Sequence, residues 1–385
     1  MKTNFFPAML FLVATVFSCG DFKSLAEGVE QYKPDTTKTT ALMILNTEPT
    51  YGTFASYSAS DTNRLFIHIN NAATEKIYFG IGGRSTNSDW YFRIKNPNGT
   101  VIYGPALLPT AAGQQGFIQY YKQAIVGPNV IGAQGYNGFA ITPTAGLAGN
   151  YYIEFNKGSG TTETFNAEID FEIFDVAVIN TSSNTETQGR LFSYNWSFNT
   201  SSYANAFYGS FYIYGTDSSV TKVDMNGIKP YKFRVSCNSF GTSRTGSRSF
   251  DRRSKLGFAV LPELRVFLRD PDLTAYPSGL MIFMNGAVTL TRCVKDSICI
   301  NVNLTKSADV TIFIDRNGNG VYNPGTADIK LFFPATPAGP NCLFWNAKDG
   351  LGNYVAPGSA IAATINISVG EVDLPMFDVE NHETG

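Results

Sequence analysis

Across residues 165–173 apolar and polar side chains alternate without a break. Phe165, Ala167, Ile169, Phe171 and Ile173 fall on one side, and Asn166, Glu168, Asp170 and Glu172 on the other. Only an extended strand sends every second side chain to the same face, so this run predicts a half-buried β-strand. Residues 191–198 repeat the pattern, with Phe192, Tyr194, Trp196 and Phe198 on one side. Residues 65–70, 76–80, 90–95, 149–155, 207–214, 298–304, 309–314 and 361–369 also read as strands. No helical period of any length competes with them. Asn98-Gly99, set between two strand-like runs, predicts a tight hairpin, because Asn-Gly readily takes positive φ.

Composition agrees with an all-β chain. Aromatic residues make up 14%, with 30 Phe and 20 Tyr. Charged residues are only 16%, against about 25% in a typical soluble protein. Small sandwiches take roughly 100 residues each, so 385 residues hold three after a leader. The expected bounds are 45–170, 171–277 and 278–385, with a polar linker over 27–44. Residues 270–279, rich in Pro and Asp, read as the joint before the third unit.

Net charge is −2, so no basic field exists to neutralise phosphates, and nucleic acid is not an expected partner. There are two histidines, His68 and His382. His68 lies in a strand pattern and reads as a satisfied structural residue. No Ser-His-Asp or Cys-His arrangement can be assembled, so no enzyme is expected. The acids Glu168, Asp170 and Glu172 read as a solvated sheet face or a cation-binding edge. The aromatic run at 191–198 reads as core or as a carbohydrate platform. Arg244, Arg248, Arg252, Arg253 and Lys255 read as a solvated loop.

The N-terminus has a positive head and an apolar core over 5–17, the length of a signal peptide and too short to span a bilayer. Two exits fit. Residues 16–19 resemble a lipoprotein box that would lipidate Cys19 and end the leader at 18. Ser24-Leu25-Ala26 offers a small-x-small site that would free Glu27. A lipid on Cys19 would be the chain's only membrane contact. Of the five cysteines, Cys237, Cys293, Cys299 and Cys342 remain after either cut. They allow two disulfides in three pairings, or four free thiols. Cys293 and Cys299 are spaced for a short hairpin link.

Two adjacent motifs carry the chemistry. Asp315, Asn317 and Asn319 occupy alternate positions of a loop, Gly320 allows a sharp turn, and Val321 offers a carbonyl. This spacing aims hard oxygens at one point, as a calcium loop requires. Thr326 stands where a bidentate Glu would close such a loop, and Asp328 can bend in instead. Calcium bound this way would be held weakly, with Kd about 10⁻⁴–10⁻³ M. The alternative is a metal-free turn built from Asx side chains. The second motif is Trp345-x3-Asp349-Gly350-x-Gly352-Asn353-x-Val355-x-Pro357-Gly358, read as a tryptophan-anchored hairpin.

This second motif resembles the closing strands of the immunoglobulin-like fold of flagellar hook-capping proteins. It is also similar to a pattern in the large gliding-motility-associated surface proteins of bacteria with type IX secretion. Residues 27–35, 54–57, 91–99, 149–155 and 370–380 resemble the N-terminal region of such proteins. The resemblance implies tandem immunoglobulin-like β-sandwiches after a signal peptide, on an exported protein of adhesion or gliding with no active site. It favours the cut after Ala26. It also implies a fragment or a short version, because the family's export signal lies at a distant C-terminus. Expected partners are surface glycans or other surface proteins. The alternative function is a carbohydrate-binding accessory module of a larger secreted hydrolase.

Overall fold

The computed structural model describes residues 27–45, 52–84, 89–160, 163, 167–245, 247–253, 261–279, 282–292, 297–370 and 372–375. The expected leader with Cys19, and also Cys293, Lys255 and His382, lie outside the described residues. The chain is nearly all β. Its first strands are β1 (Glu27–Gly28), β2 (Ala41–Leu45), β3 (Leu65–Ile69), β4 (Glu75–Arg84), β5 (Trp90–Lys95), β6 (Val101–Leu107), β7 (Phe139–Ile141) and β8 (Gly149–Lys157). Then come β9 (Glu168–Asn180), β10 (Thr185–Thr187), β11 (Leu191–Ser193), β12 (Asn195–Asn199), β13 (Ser210–Tyr214), β14 (Val220–Asp224), β15 (Lys232–Ser236) and β16 (Arg265–Phe267). The last are β17 (Thr289–Arg292), β18 (Ile298–Leu304), β19 (Ala308–Asp315), β20 (Ile329–Thr336), β21 (Gly339–Trp345) and β22 (Ala362–Ser368). Helices are short: α1 (Val29–Tyr32), α2 (Tyr121–Val126) and α3 (Arg248–Asp251). Among the described residues no helix is long and apolar enough to cross a membrane.

Two large sheets face each other. One runs β15-β12-β2-β9-β4-β7, with β1 and β10 also paired to β9. The other runs β14-β13-β16-β11-β3-β8-β5-β6. Aromatic pairs close the gap between them: Phe79 with Phe92 at 4.9 Å, Phe155 with Phe171 at 5.3 Å, and Phe198 with Phe211 at 5.7 Å between ring centroids. A single buried cluster runs from Val29 to Leu268.

This architecture corrects the expected domain bounds. The division at 170/171 falls inside β9, and each large sheet draws strands from both sides of it. Two sandwiches expected over 45–277 are therefore one. Hydrophobic alternation identifies strands but not their neighbours, and here the neighbours are far apart in sequence. The expected linker at 27–44 is also part of this sandwich. Val29 and Tyr32 are buried, and β2 pairs with β9 and β12. The expected joint at 270–279 packs down too. Asp272 pairs with Arg190 at 2.7 Å, and Tyr276 stacks edge-on against Phe267 at 4.8 Å.

The run at 191–198 is not one strand. β11 pairs with β3 and β16, whereas β12 pairs with β15 and β2. The chain crosses from sheet to sheet at Tyr194. Phe192 joins an outer cluster with Phe267 and Tyr276, while Trp196 and Phe198 enter the core. Asn98-Gly99 does join paired strands β5 and β6, but through a wider turn. Asn96 Oδ1 accepts the N–H groups of Asn98 and Thr100, and of the Asn-Gly pair only Gly99 takes positive φ. Asn96 thus gives the turn an internal brace that Asn-Gly alone does not specify.

A second, smaller sandwich follows. Its sheets are β17-β18-β21 and β20-β19-β22. Alternate residues Ile300, Val302 and Leu304 of β18 meet Val310, Ile312 and Ile314 of β19, with Trp345 beside them. Cys299 is joined to Cys342 on the neighbouring strand β21, with Cα atoms 5.2 Å apart. This replaces the expected Cys293–Cys299 link; cross-strand pairing brings together cysteines 43 positions apart. Cys237 is a buried free thiol. After β22 the chain returns to the first sandwich. Asn238 and Asp373 exchange backbone hydrogen bonds, and Arg252 pairs with Asp373 at 2.9 Å.

Candidate functional site

The loop joining β19 to β20 starts at Asp315, where alternation delivers the last strand side chain to the sandwich rim. Asp315 Oδ1 accepts N–H groups from Asn317 at 3.1 Å and Gly318 at 2.7 Å, and Oδ2 accepts that of Gly320 at 2.7 Å. These donors, Gly320 foremost, hold the Asp315 carboxyl below its ordinary range. Asn317 Oδ1 accepts from Asn319 N–H at 3.0 Å, and Asn319 Oδ1 from Val321 N–H at 2.9 Å. Each oxygen-bearing side chain therefore folds over the next turn of backbone. Val321 sits at the exposed tip.

Asp328 bends into this loop. It is buried, and its Oδ1 accepts Arg316 N–H at 2.9 Å. Its Oδ2 accepts Asn323 N–H at 3.1 Å and the Asn317 side-chain amide at 3.3 Å. Asn323, which ends the loop motif but is not among the expected ligands, accepts from the amides of Asn317 at 3.2 Å and Asn319 at 2.7 Å. Thr326 braces the chain by donating to Asn323 O at 2.7 Å. The structure thus brings Asp315, Asn317, Asn319 and Asp328 together, with Asn323 among them. Only two of these are carboxylates, and no cluster of three ionisable metal ligands occurs among the described residues. A hard cation here would need amide and carbonyl oxygens to complete its shell. Each carboxylate oxygen has more than one lone pair to offer.

The tryptophan motif supports this loop. Trp345 is buried, and its Nε1–H donates to Lys348 O at 2.9 Å. Asp349 Oδ1 accepts the N–H groups of Leu351 and Asn353, both at 2.9 Å. Gly350 lies against the β19–β20 loop itself, donating to Ala327 O at 3.2 Å. A Cβ there would stand 2.3 Å from both Thr326 O and Asp328 O. The two motifs are therefore one packed unit, joined at a glycine.

Other candidates have structural partners. His68 bonds Asn150 at 2.6 Å and Asn70 at 2.9 Å. On β9, Glu168 pairs with Lys232 at 2.7 Å, Asp170 accepts from Asn199 at 2.9 Å, and Glu172 pairs with Lys33 at 3.6 Å. Burial pushes the Asp170 carboxyl up to about 6. Trp196 is fully buried and donates Nε1–H to Val266 O at 2.8 Å, so it is no carbohydrate platform. Exposed aromatics lie elsewhere, with Tyr203 and Tyr231 at 5.4 Å between ring centroids. A cleft of about 600 Å³ between the sandwiches is lined by Asp217, Arg252, Lys306 and Asp373. Lys306 lies 3.8 Å from Asp217 there. No family model, curated protein or solved structure matches the chain.

Proposed function

We propose that this chain is an exported, non-enzymatic surface protein that serves attachment or gliding as a structural module. The disulfide is the observation that carries the reading. Cys299–Cys342 lies in the smaller sandwich, and structural disulfides persist in oxidising, extracytoplasmic compartments. The signal-peptide-like leader and the resemblance of residues 345–358 to hook-capping and gliding proteins point the same way. Deleting the gene tests it: attachment to a solid surface or colony spreading should fall, with restoration by the full-length chain. Unchanged attachment and spreading would reject the role.

A second reading, a carbohydrate-binding accessory module, is favoured by the exposed pair Tyr203 and Tyr231. Aromatic faces of this kind stack on sugar rings. Reproducible signal on a glycan array, lost in Tyr203→Ala, would support it over the first.

For the loop at Asp315, we propose weak calcium binding by Asp315, Asn317, Asn319, the Val321 carbonyl and Asp328. The ion would cross-link the β19–β20 connection and stiffen the rim of the smaller sandwich.

A further inference from the structure

One edge of β9 carries three partners in a row. β2 lies opposite residues 168–171, β1 opposite Asp175 and Val176, and β10 opposite residues 178–180. β4 occupies the other edge. β1 is antiparallel to β9, with Glu27 opposite Val176. The place opposite Val178 is filled by Thr187 of β10. β1 and β10 therefore meet this edge on either side of Ala177, and the backbone nitrogen of Glu27 is directed toward the place opposite Ala177.

Two acids flank that place on one face. Asp175 is opposite Gly28, Glu186 is opposite Ile179, and positions 175, 177 and 179 point the same way. Asp175 is fully buried. Its Oδ2 accepts from Tyr136 Oη at 2.6 Å, but its Oδ1 is enclosed and has no partner. Glu186 is only half-buried as a residue, yet both its carboxylate oxygens are enclosed without a partner among the described residues. Burial, and then the neighbouring Asp175, push the Glu186 carboxyl up to about 10. Of the nearby arginines, Arg190 pairs with Glu75 and Asp272 and Arg269 with Glu30, while the Arg269 charge also acts on Asp175 and Glu186. Buried carboxyl oxygens normally have a donor or a cation, and these three have no hydrogen-bond donor among the described residues.

We propose that Asp175 and Glu186 form a primary-ammonium site, filled by the α-amino group of Glu27 once the leader is cut after Ala26. The inference rests on the export reading. Before the cut the Glu27 nitrogen is an amide, with one N–H and no charge. Hydrolysis breaks the C–N bond between Ala26 and Glu27; the hydroxyl of water goes to the Ala26 carbonyl carbon and its hydrogen to the Glu27 nitrogen. That amine takes a second proton from solvent near neutral pH. It then offers three donors and a positive charge between two carboxylates. Maturation would thus lock the β1–β9–β10 edge, whereas in the uncut chain burial favours the protonated form of both acids.

The test compares two versions of the mature chain through Gly385, each released without a scar from a fusion partner. One begins at Glu27 and the other keeps Leu25-Ala26 ahead of it. The Glu27 chain should melt about 5 °C higher, and the difference should vanish in Asp175→Asn/Glu186→Gln. Equal melting of the two parent chains, or a difference that survives in the double variant, would overturn the site. If the double variant does not fold, acylation of the α-amine near neutral pH decides. It should run at least about 10-fold slower in the native Glu27 chain than in denaturant, and equal rates would overturn the site. The mass of the chain recovered from its own cells checks the premise separately. A start other than Glu27 overturns the leader reading alone; equal melting overturns the ammonium site alone.

Discussion

Gly350 shows how much one hydrogen in place of a methyl can decide. The carbonyls of Thr326 and Asp328 stand where its Cβ would be, at 2.3 Å, and neither is a side chain that can swing away. Gly350→Ala should therefore destabilise the smaller sandwich by about 1–3 kcal/mol, read as a lower denaturant midpoint; an unchanged midpoint would mean the two motifs do not brace each other. Asp315 tests the loop's chemistry. Millimolar calcium should raise the melting temperature relative to chelator, because a ligand that binds only the folded state adds RT ln(1 + [L]/Kd). Asp315→Ala should abolish the rise; absence of any rise in the parent chain would leave a metal-free Asx turn. The buried acids make a pH prediction for a chain that keeps residues ahead of Glu27. Burial raises Glu27 from 4.5 to about 7 and Glu186 to about 10, and Asp175 well above its ordinary value. Arg190 and Arg269 pull Glu27 the other way, and Glu30 adds repulsion at Asp175. A carboxyl whose folded pKa is raised stabilises the fold below its unfolded pKa, and that contribution is lost as pH rises through the folded value. Melting temperature should thus fall between about pH 5 and pH 8, and Glu186→Gln should reduce the fall. A rise over that range would contradict the burial of these acids.

Single strands were largely legible, and their company was not. β9 shows both sides of this. Its first half alternates as written, with Ile169 and Phe171 in the core and Glu168, Asp170 and Glu172 outward. From Phe174 to Ile179 every residue is buried, because α1, α2 and Tyr136 cover the outer face. A strand buried on both faces carries no alternation to read, which is why Asp175 passed unnoticed among Phe174, Val176 and Val178. β1 has two residues in a polar stretch, too few for any period. The crossing at Tyr194 was invisible because aromatic side chains alternate through it while the partners change. In the loop, spacing identified Asp315, Asn317, Asn319 and Asp328. It did not place Asn323 among the ligands or Gly350 against the loop, contacts that exist only once β19, β20 and the tryptophan turn are packed. Cysteine spacing also misled, since Cys299 and Cys342 meet through the β18–β21 register. Removing that link with Cys299→Ser/Cys342→Ser should cost about 2–4 kcal/mol, confined to the smaller sandwich. A loss that instead unfolds both sandwiches together would show that they fold as one unit.

At the scale of the molecule, residues 27–268 form one sandwich whose strands interleave, and the smaller sandwich is held to it through Asp373 and Gly370. A chain cut at 170 should therefore not fold, since it lacks β11, β12, β15 and β16, whereas residues 27–279 should unfold in one cooperative step. A folded 45–170 fragment would contradict the interleaving. Aromatic contacts close the first sandwich, a disulfide links two strands of the smaller one, and Glu27–Gly28 is paired to the edge of β9. Export is the claim on which the functional account turns. The most direct measurement is labelling of intact cells with a membrane-impermeant amine reagent, followed by mass analysis of the recovered chain. A labelled protein whose sequence starts at Glu27 is expected; an unlabelled protein inside the cell that still carries residues 1–26 would contradict export.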